Sequence, residues 1–162
     1  MTEAEKLNDL KNFSNCETII GNIILANISD ANGTKLMFFN SVRKITGYLA
    51  IMDCDFPHLP FRNLKIISGQ YRIPESGQHK YALFVSKILN ASFVGLDNLN
   101  EISQGSVLFE ENNHHITGFA NTIHWDDILM DGTATVRPRE DDTPHPDQCE
   151  FYSSQGGRHS SS

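Results

Sequence analysis

Ile19-Ile20-Gly21-Asn22-Ile23-Ile24-Leu25 sets one apolar residue two places before a glycine and two more at the second and fourth places after it. The arrangement returns as Ile45-x-Gly47-x-Leu49-x-Ile51 and as Ile67-x-Gly69-x-Tyr71-x-Ile73. A looser copy, one residue longer, runs from Ile102 through Gly105 to Val107, Leu108 and Phe109. Successive glycines stand 26, 22 and 36 residues apart, and the last interval has room for an extra turn around Tyr81-Ala82-Leu83-Phe84-Val85. Self-similarity at this period predicts a coiled or stacked architecture, each unit burying its apolar edge against its neighbours. Stacked strands present a broad outer sheet, a surface suited to binding other molecules.

Outward from these copies, short apolar strands alternate with polar turns from Cys16 to about Leu129, punctuated by Ser29-Asp30-Ala31-Asn32-Gly33, Pro74-Glu75-Ser76-Gly77 and Glu111-Asn112-Asn113. A second set of apolar elements, Leu36-Met37-Phe38-Phe39, Leu59-Pro60-Phe61 with Leu64, and Leu96 with Leu99, is expected to pack the opposite wall. The spacing of Ile123, Trp125, Ile128 and Leu129 predicts an amphipathic helix over 121–129 that caps the last unit, with Trp125 in the capping core. Residues 1–15 form a polar segment in which Thr2-Glu3-Ala4-Glu5-Lys6-Leu7 can start a short helix. The repeat-bearing domain spans 16–130. Residues 131–162 hold three of the six prolines, the acidic Glu140-Asp141-Asp142 and little apolar periodicity, and read as a disordered tail.

Neighbouring side chains of a strand face opposite sides. With Ile23/Leu25, Leu49/Ile51, Tyr71/Ile73, Leu83/Val85 and Val107/Phe109 inward, the residues Ile24, Ala50, Arg72, Phe84 and Leu108 form an outward row, four of its five members apolar. Met52, one step further along, enlarges the row to a candidate partner-binding face. The competing reading is a sheet covered on both sides by the protein itself, as parallel sheets generally are.

A chain of 162 residues has room for one domain with a proper core, and its apolar and charged content suits a soluble globular protein. The net charge of −7, with no long Lys/Arg run, argues against a nucleic-acid partner. No apolar stretch approaches the roughly 20 residues that span a bilayer, and Met1 to Lys6 lacks the layout of a secretory signal. Glycan-acceptor patterns nevertheless begin at Asn12, Asn27, Asn32 and Asn90. Cys16, Cys54 and Cys149 allow one disulfide with a thiol left over, or three free thiols. The compartment stays open on these grounds.

Several stretches then follow one another in a familiar order: Asn15-Cys16-Glu17-Thr18-Ile19-Ile20-Gly21-Asn22-Ile23, Ile45-Thr46-Gly47-Tyr48-Leu49, Leu64-Lys65-Ile66-Ile67-Ser68-Gly69, Tyr81 to Val85, Gly95-Leu96, Glu101 to Val107, and Thr122-Ile123-His124-Trp125. Together they resemble the receptor L domain, the ligand-binding module of insulin-receptor and epidermal-growth-factor-receptor ectodomains. The resemblance implies a mainly β fold: a short right-handed parallel β-helix, a leucine-rich-repeat-like solenoid closed by a helix at each end. It also implies an extracellular or membrane-associated setting. The broad sheet would meet a peptide hormone or another extracellular protein, or pair with another receptor L domain. The hormone-contacting aromatics of those receptors are not reproduced, since Ala50, Met52 and Asp53 stand here instead. The family's cysteine after the run that stands here as Glu110-Glu111-Asn112 is replaced by Asn113-His114-His115-Ile116, and its cysteine upstream of Cys16 is missing. Cys16 therefore pairs with Cys54 or stays reduced. A stand-alone module of this kind looks like the kinase-less, receptor-like proteins of nematodes.

Catalytic and metal chemistry finds weaker footing. Asp53 and Asp55 flank Cys54, and paired carboxylates on a β-helix suit glycan hydrolysis. No second acidic cluster recurs on that face, and acids in turns commonly bind turn amides. His114-His115 with His124 lacks a further ligand at zinc spacing. No phosphate loop or dinucleotide fingerprint occurs, so no cofactor is expected. The sequence reads as a non-enzymatic binding module. The alternatives are a scaffold or decoy that pairs with receptor L domains, and a glycan-active β-helix enzyme.

Overall fold

In the computed structural model the described residues are 15–70, 73–74, 80–92 and 95–140. The first, second and fourth apolar–glycine–apolar copies each fold as a short strand, a glycine corner and a longer strand. Strands β1 (Thr18–Ile19) and β2 (Ile23–Ala26) flank Gly21, and β3 (Lys44–Ile45) and β4 (Leu49–Met52) flank Gly47. The chain continues through β5 (Ile66–Ile67), β6 (Ile73–Pro74), β7 (Lys80–Ser86), β8 (Glu101–Ile102) and β9 (Ser106–Asn112). Helices α1 (His114–Thr122) and α2 (Trp125–Ile128) precede a last strand, β10 (Ala134–Pro138).

The short strands join in one sheet, β1-β3-β5-β8, and the long ones in another, β10-β9-β7-β4-β2. Every neighbouring pair along both paths is parallel. Ile19, Ile45, Ile67 and Ile102 lie in register across the small sheet, all buried. The glycines are needed where one unit's corner rests on the next. Gly47 N–H donates to Gly21 O at 2.8 Å, and a side chain at Gly47 would meet that same oxygen at 2.5 Å. Gly69 adds a left-handed backbone (φ +65°), and a Cβ there would run into Gln104 O.

One core fills the space between the sheets and the connecting segments. Leu36, Phe39, Leu59, Phe61, Leu64, Leu96 and Leu99, expected on the opposite wall, are all buried in it, and the Phe39 and Phe61 rings lie 4.9 Å apart. The described architecture is mainly β, with parallel sheets, two short α-helices and one 3-10 turn (Met37–Ser41) among the described residues.

Three expectations need correction. Ile73 does not supply a unit of the long sheet, and Tyr71 lies outside the described residues. Leu83 and Val85 of β7 pair beside Leu49 and Ile51, while Ile73–Pro74 pairs antiparallel with the start of β7. The long strand beside β4 is β7, so Tyr81–Val85 belongs to the third unit and is not an extra one. The helix expected over 121–129 is split and displaced towards the N-terminus. Asn113 caps α1 by accepting from Ile116 N–H at 3.0 Å, which starts the helix at His114. Trp125 keeps its capping place in α2, half-buried against Phe109 with its indole N–H donating to Ala120 O at 2.9 Å.

The third correction concerns the tail. Leu129 bridges Ile102, Met130 N–H donates to Ile102 O at 3.0 Å, and β10 adds to β9 in register. Leu129-x-x-Gly132-x-Ala134-x-Val136 thus repeats the spacing of Ile102-x-x-Gly105-x-Val107-x-Phe109 as a fifth unit. Disorder from residue 131 was the wrong reading for 131–140. For the cysteines, the structure has the reduced alternative. Cys16 and Cys54 are free thiols. Cys16 precedes β1 of the small sheet, whereas Cys54 follows β4 of the large one and contacts Leu25 O and Met52 O through its sulfur. Cys149 lies outside the described residues.

Candidate partner-binding face

The register of the large sheet fixes what stands beside what. Inward, Ile23, Leu49, Leu83, Val107 and Ala134 form one row, and Leu25, Ile51, Val85, Phe109 and Val136 the next. Outward, Ile24, Ala50, Phe84, Leu108 and Thr135 form a continuous row across all five strands. Beside it runs a second outward row of Ala26, Met52, Ser86, Glu110 and Arg137. The structure therefore brings Ile24, Ala50, Met52, Phe84 and Leu108 together. Arg72, expected among them, lies outside the described residues. Thr135 and Arg137 were missed, and the repeated glycine spacing at Gly132 was the signal that could have found them.

Exposure along the face is graded. Ile24 is 52% exposed, and Phe84 and Met52 are half-buried. Ala50, a single methyl between Ile24 and Phe84, is 1% exposed, and Leu108, between Phe84 and Thr135, is 2%. The accessible apolar area is therefore concentrated on β2, β4 and β7, where Tyr81 and Phe84 hold their rings 6.1 Å apart. At the β9–β10 end the same face carries an ion pair, Arg137 Nη1 to Glu110 Oε2 at 3.3 Å.

The strands end at a ladder of left-handed corners: Asn27 (φ +55°), Asp53 (+52°), Lys87 (+55°) and Glu111 (+55°). Each of the first three donates its N–H to the neighbouring strand, at Met52 O, Ser86 O and Glu110 O. These corners project charge along one border of the face, around an open groove of about 770 Å³ lined by Asp53, Asp55, Lys87, Glu110, Glu111 and Arg137 among others. Asp55 Oδ1 accepts from Asn90 Nδ2 at 2.9 Å, a loop-bracing role. Burial pushes the Cys54 thiol above its ordinary range, against hydrogen bonds from nearby backbone, so it rests as a neutral core group. Among the described residues no three His, Cys, Asp or Glu side chains are grouped to hold a metal. His114 and His115 are exposed on α1 with their rings 4.1 Å apart. Asn27, Asn32 and Asn90 are exposed, and Asn12 lies outside the described residues.

A sequence model of the receptor L domain matches residues 15–129, nearly the whole stack. The chain belongs to the receptor L domain family. Human receptor tyrosine-protein kinase erbB-4 is 34% identical over 123 residues, covering 74% of this chain and 9% of that protein. The epidermal growth factor receptor of Drosophila melanogaster is 32% identical over 124 residues, covering 75% of this chain and 8% of the receptor. The melanoma receptor tyrosine-protein kinase of Xiphophorus maculatus is 31% identical over 137 residues, with 76% and 11% covered. The chain thus spans about a tenth of the length of these relatives. The family match ends at Leu129, yet this L domain adds one more parallel strand, β10, to the sheet that carries the face. No helix among the described residues is long and apolar enough to cross a membrane.

Proposed function

We propose that this L domain is a non-enzymatic, receptor-type binding module that works outside the cell and takes a peptide or protein ligand on the outward face of its large sheet. The observation that carries the reading is the pair of register-locked outward rows in which Ile24 stands 52% exposed on the same face as the half-buried Phe84 and Met52. Apolar side chains left open at strand positions are what a partner can bury. In this reading the two parallel sheets are two walls of one short coil, of the β-helix type the repeats lead one to expect. Kinship with receptor tyrosine kinases supports an extracellular setting and a growth-factor-like ligand.

The test is surface plasmon resonance of the full chain against epidermal-growth-factor-type and insulin-type peptides. Ile24→Asp and Phe84→Asp should each weaken binding at least tenfold, while Glu3→Gln leaves it unchanged. Ile24→Asp should hold its unfolding free energy within about 0.5 kcal/mol, as substitutions at open positions do. Retained binding in both variants would remove the face. Recovery of a receptor ectodomain in the absence of any peptide ligand would instead support the scaffold or decoy reading.

A further inference from the structure

We propose that Asn32 carries an N-linked glycan whose first N-acetylglucosamine lies in the groove formed by Met37, Asn40, His58 and Arg62. The proposal rests on the extracellular reading above. Asn32-Gly33-Thr34 satisfies the acceptor pattern, and both Asn32 and Thr34 are exposed. The turn that presents them is rigid. Asp30, 2% exposed, accepts from Lys35 N–H at 2.8 Å and from Thr34 and Leu36 N–H at 3.3 Å each. Gly33 N–H donates back to Asp30 O at 2.9 Å. Asn90, by contrast, has its carboxamide nitrogen committed to Asp55.

Beside Asn32 the structure leaves an open groove of about 510 Å³. That is room enough for a small ligand. The His58 ring lies so close to the turn that a Cβ on Gly33 would stand 2.8 Å from its Cε1. Met37 is 53% exposed on the groove's other side, an apolar side chain with a free surface. N-acetylglucosamine matches this lining. Its acetyl methyl and ring face suit Met37, and its hydroxyl and amide groups suit Asn40, His58 and Arg62.

The attachment needs a lipid-diphosphate-linked oligosaccharide as donor. Asn32 Nδ2 forms a bond to the anomeric carbon, the bond from that carbon to the phosphate oxygen breaks, and the lipid diphosphate leaves with the electron pair. Nδ2 gives up one proton, and nothing is oxidised or reduced.

The experiment expresses the full chain in eukaryotic cells behind a supplied export signal and maps glycopeptides by mass spectrometry. Asn32 should be occupied, Thr34→Ala should lose the glycan at that site alone, and Thr34→Ser should keep it. After trimming to a single N-acetylglucosamine, the Met37 methyl resonance should move from its position in the Thr34→Ala protein and show a cross-peak to the acetyl methyl. A bare Asn32 on the exported chain overturns the modification. An occupied Asn32 with an unmoved Met37 resonance overturns the seating. Glycan on the forced-export chain but none on protein from its own cells overturns the extracellular reading and leaves the acceptor geometry supported.

Discussion

Replacing Asn112 by alanine should cost this domain about 3 kcal/mol. Asn112 is completely buried at the end of β9. Its Oδ1 accepts from Ile88 N–H at 3.0 Å and its Nδ2 donates to Val85 O at 2.9 Å. It occupies the place that Ile28, Cys54 and Ile88 hold in the earlier units, one residue beyond a left-handed corner. There the chain turns away from the sheet, and the side-chain amide stands in for ladder bonds between the third and fourth units. Alanine leaves a buried N–H and a buried C=O without partners, at roughly 1–3 kcal/mol each. A total near 3 kcal/mol is a large share of a stability of about 5–15 kcal/mol. Urea unfolding followed by fluorescence reads it directly, because Trp125 is the one tryptophan and its ring lies 5.8 Å from Phe109. With a slope of about 2–3 kcal/mol per molar, the midpoint should fall by about 1–1.5 M. Asn112→Asp keeps the acceptor but loses the donor and buries a charge. Its deficit against wild type should therefore be greater at neutral pH and shrink as acid protonates the carboxyl. A midpoint shift below about 0.3 M for Asn112→Ala would refute the reasoning, since water would then be satisfying both groups.

Gly69→Ala should lose at least about 2 kcal/mol in the same assay, from the left-handed backbone together with the contact on Gln104 O; an unchanged midpoint would mean that the corner relaxes freely. Ending the chain after Met130 removes β10, unpairs the outer edge of β9 and should lower the thermal midpoint by about 6–12 °C for a loss of about 3 kcal/mol, while ending it after Glu140 should not. For Cys54 the folded thiol titrates above its unfolded value, so its contribution is intact below about pH 8.5 and is lost as pH rises through the folded value. Thermal scans should show wild type weakening above that pH more steeply than Cys54→Ala. At neutral pH a thiol reagent should modify Cys16 well before Cys54.

Period-two alternation around a glycine was readable because two separate constraints meet there: apolar side chains every second residue, and a corner that has a positive φ, as at Gly21, or no room for a Cβ, as at Gly47. That placed β1 to β4, β8 and β9. The same alternation could not decide between Tyr71/Ile73 and Leu83/Val85, since both satisfy it and only pairing with Leu49 and Ile51 separates them. The fifth unit was hidden by composition. Ala134 is small, and Arg137, Pro138 and Arg139 outweigh a glycine spacing that nonetheless matches the fourth copy. In α1, Asn113 with Ile116 and Ala120 is a legible cap and apolar stripe, masked by Gly118 and the histidine pair. The outward row was legible as a list of residues but not as a surface. Parity predicts direction, whereas burial depends on neighbours, and so Ala50 and Leu108 turned out closed while Ile24 stayed open.

That separation of parity from burial bears on how such a domain acquires a ligand. The inward rows, from Ile23 to Ala134 and from Leu25 to Val136, must stay apolar and in register or the units cannot stack. The outward rows carry no such demand. An open side chain such as Ile24 can change with little effect on folding, and the Glu110–Arg137 pair is exposed enough that its own contribution to stability is about 0–1 kcal/mol. The two ends of the face therefore invite different contacts from one partner: an apolar anchor over Ile24, Met52 and Phe84, and a polar or charged group that competes for Glu110 or Arg137. If the face is used in this way, Arg137→Ala should change the salt dependence and association rate of binding, and Ile24→Ala should change mainly the dissociation rate. Equal effects of both variants on dissociation alone would mean that the charged end is not part of the recognition surface.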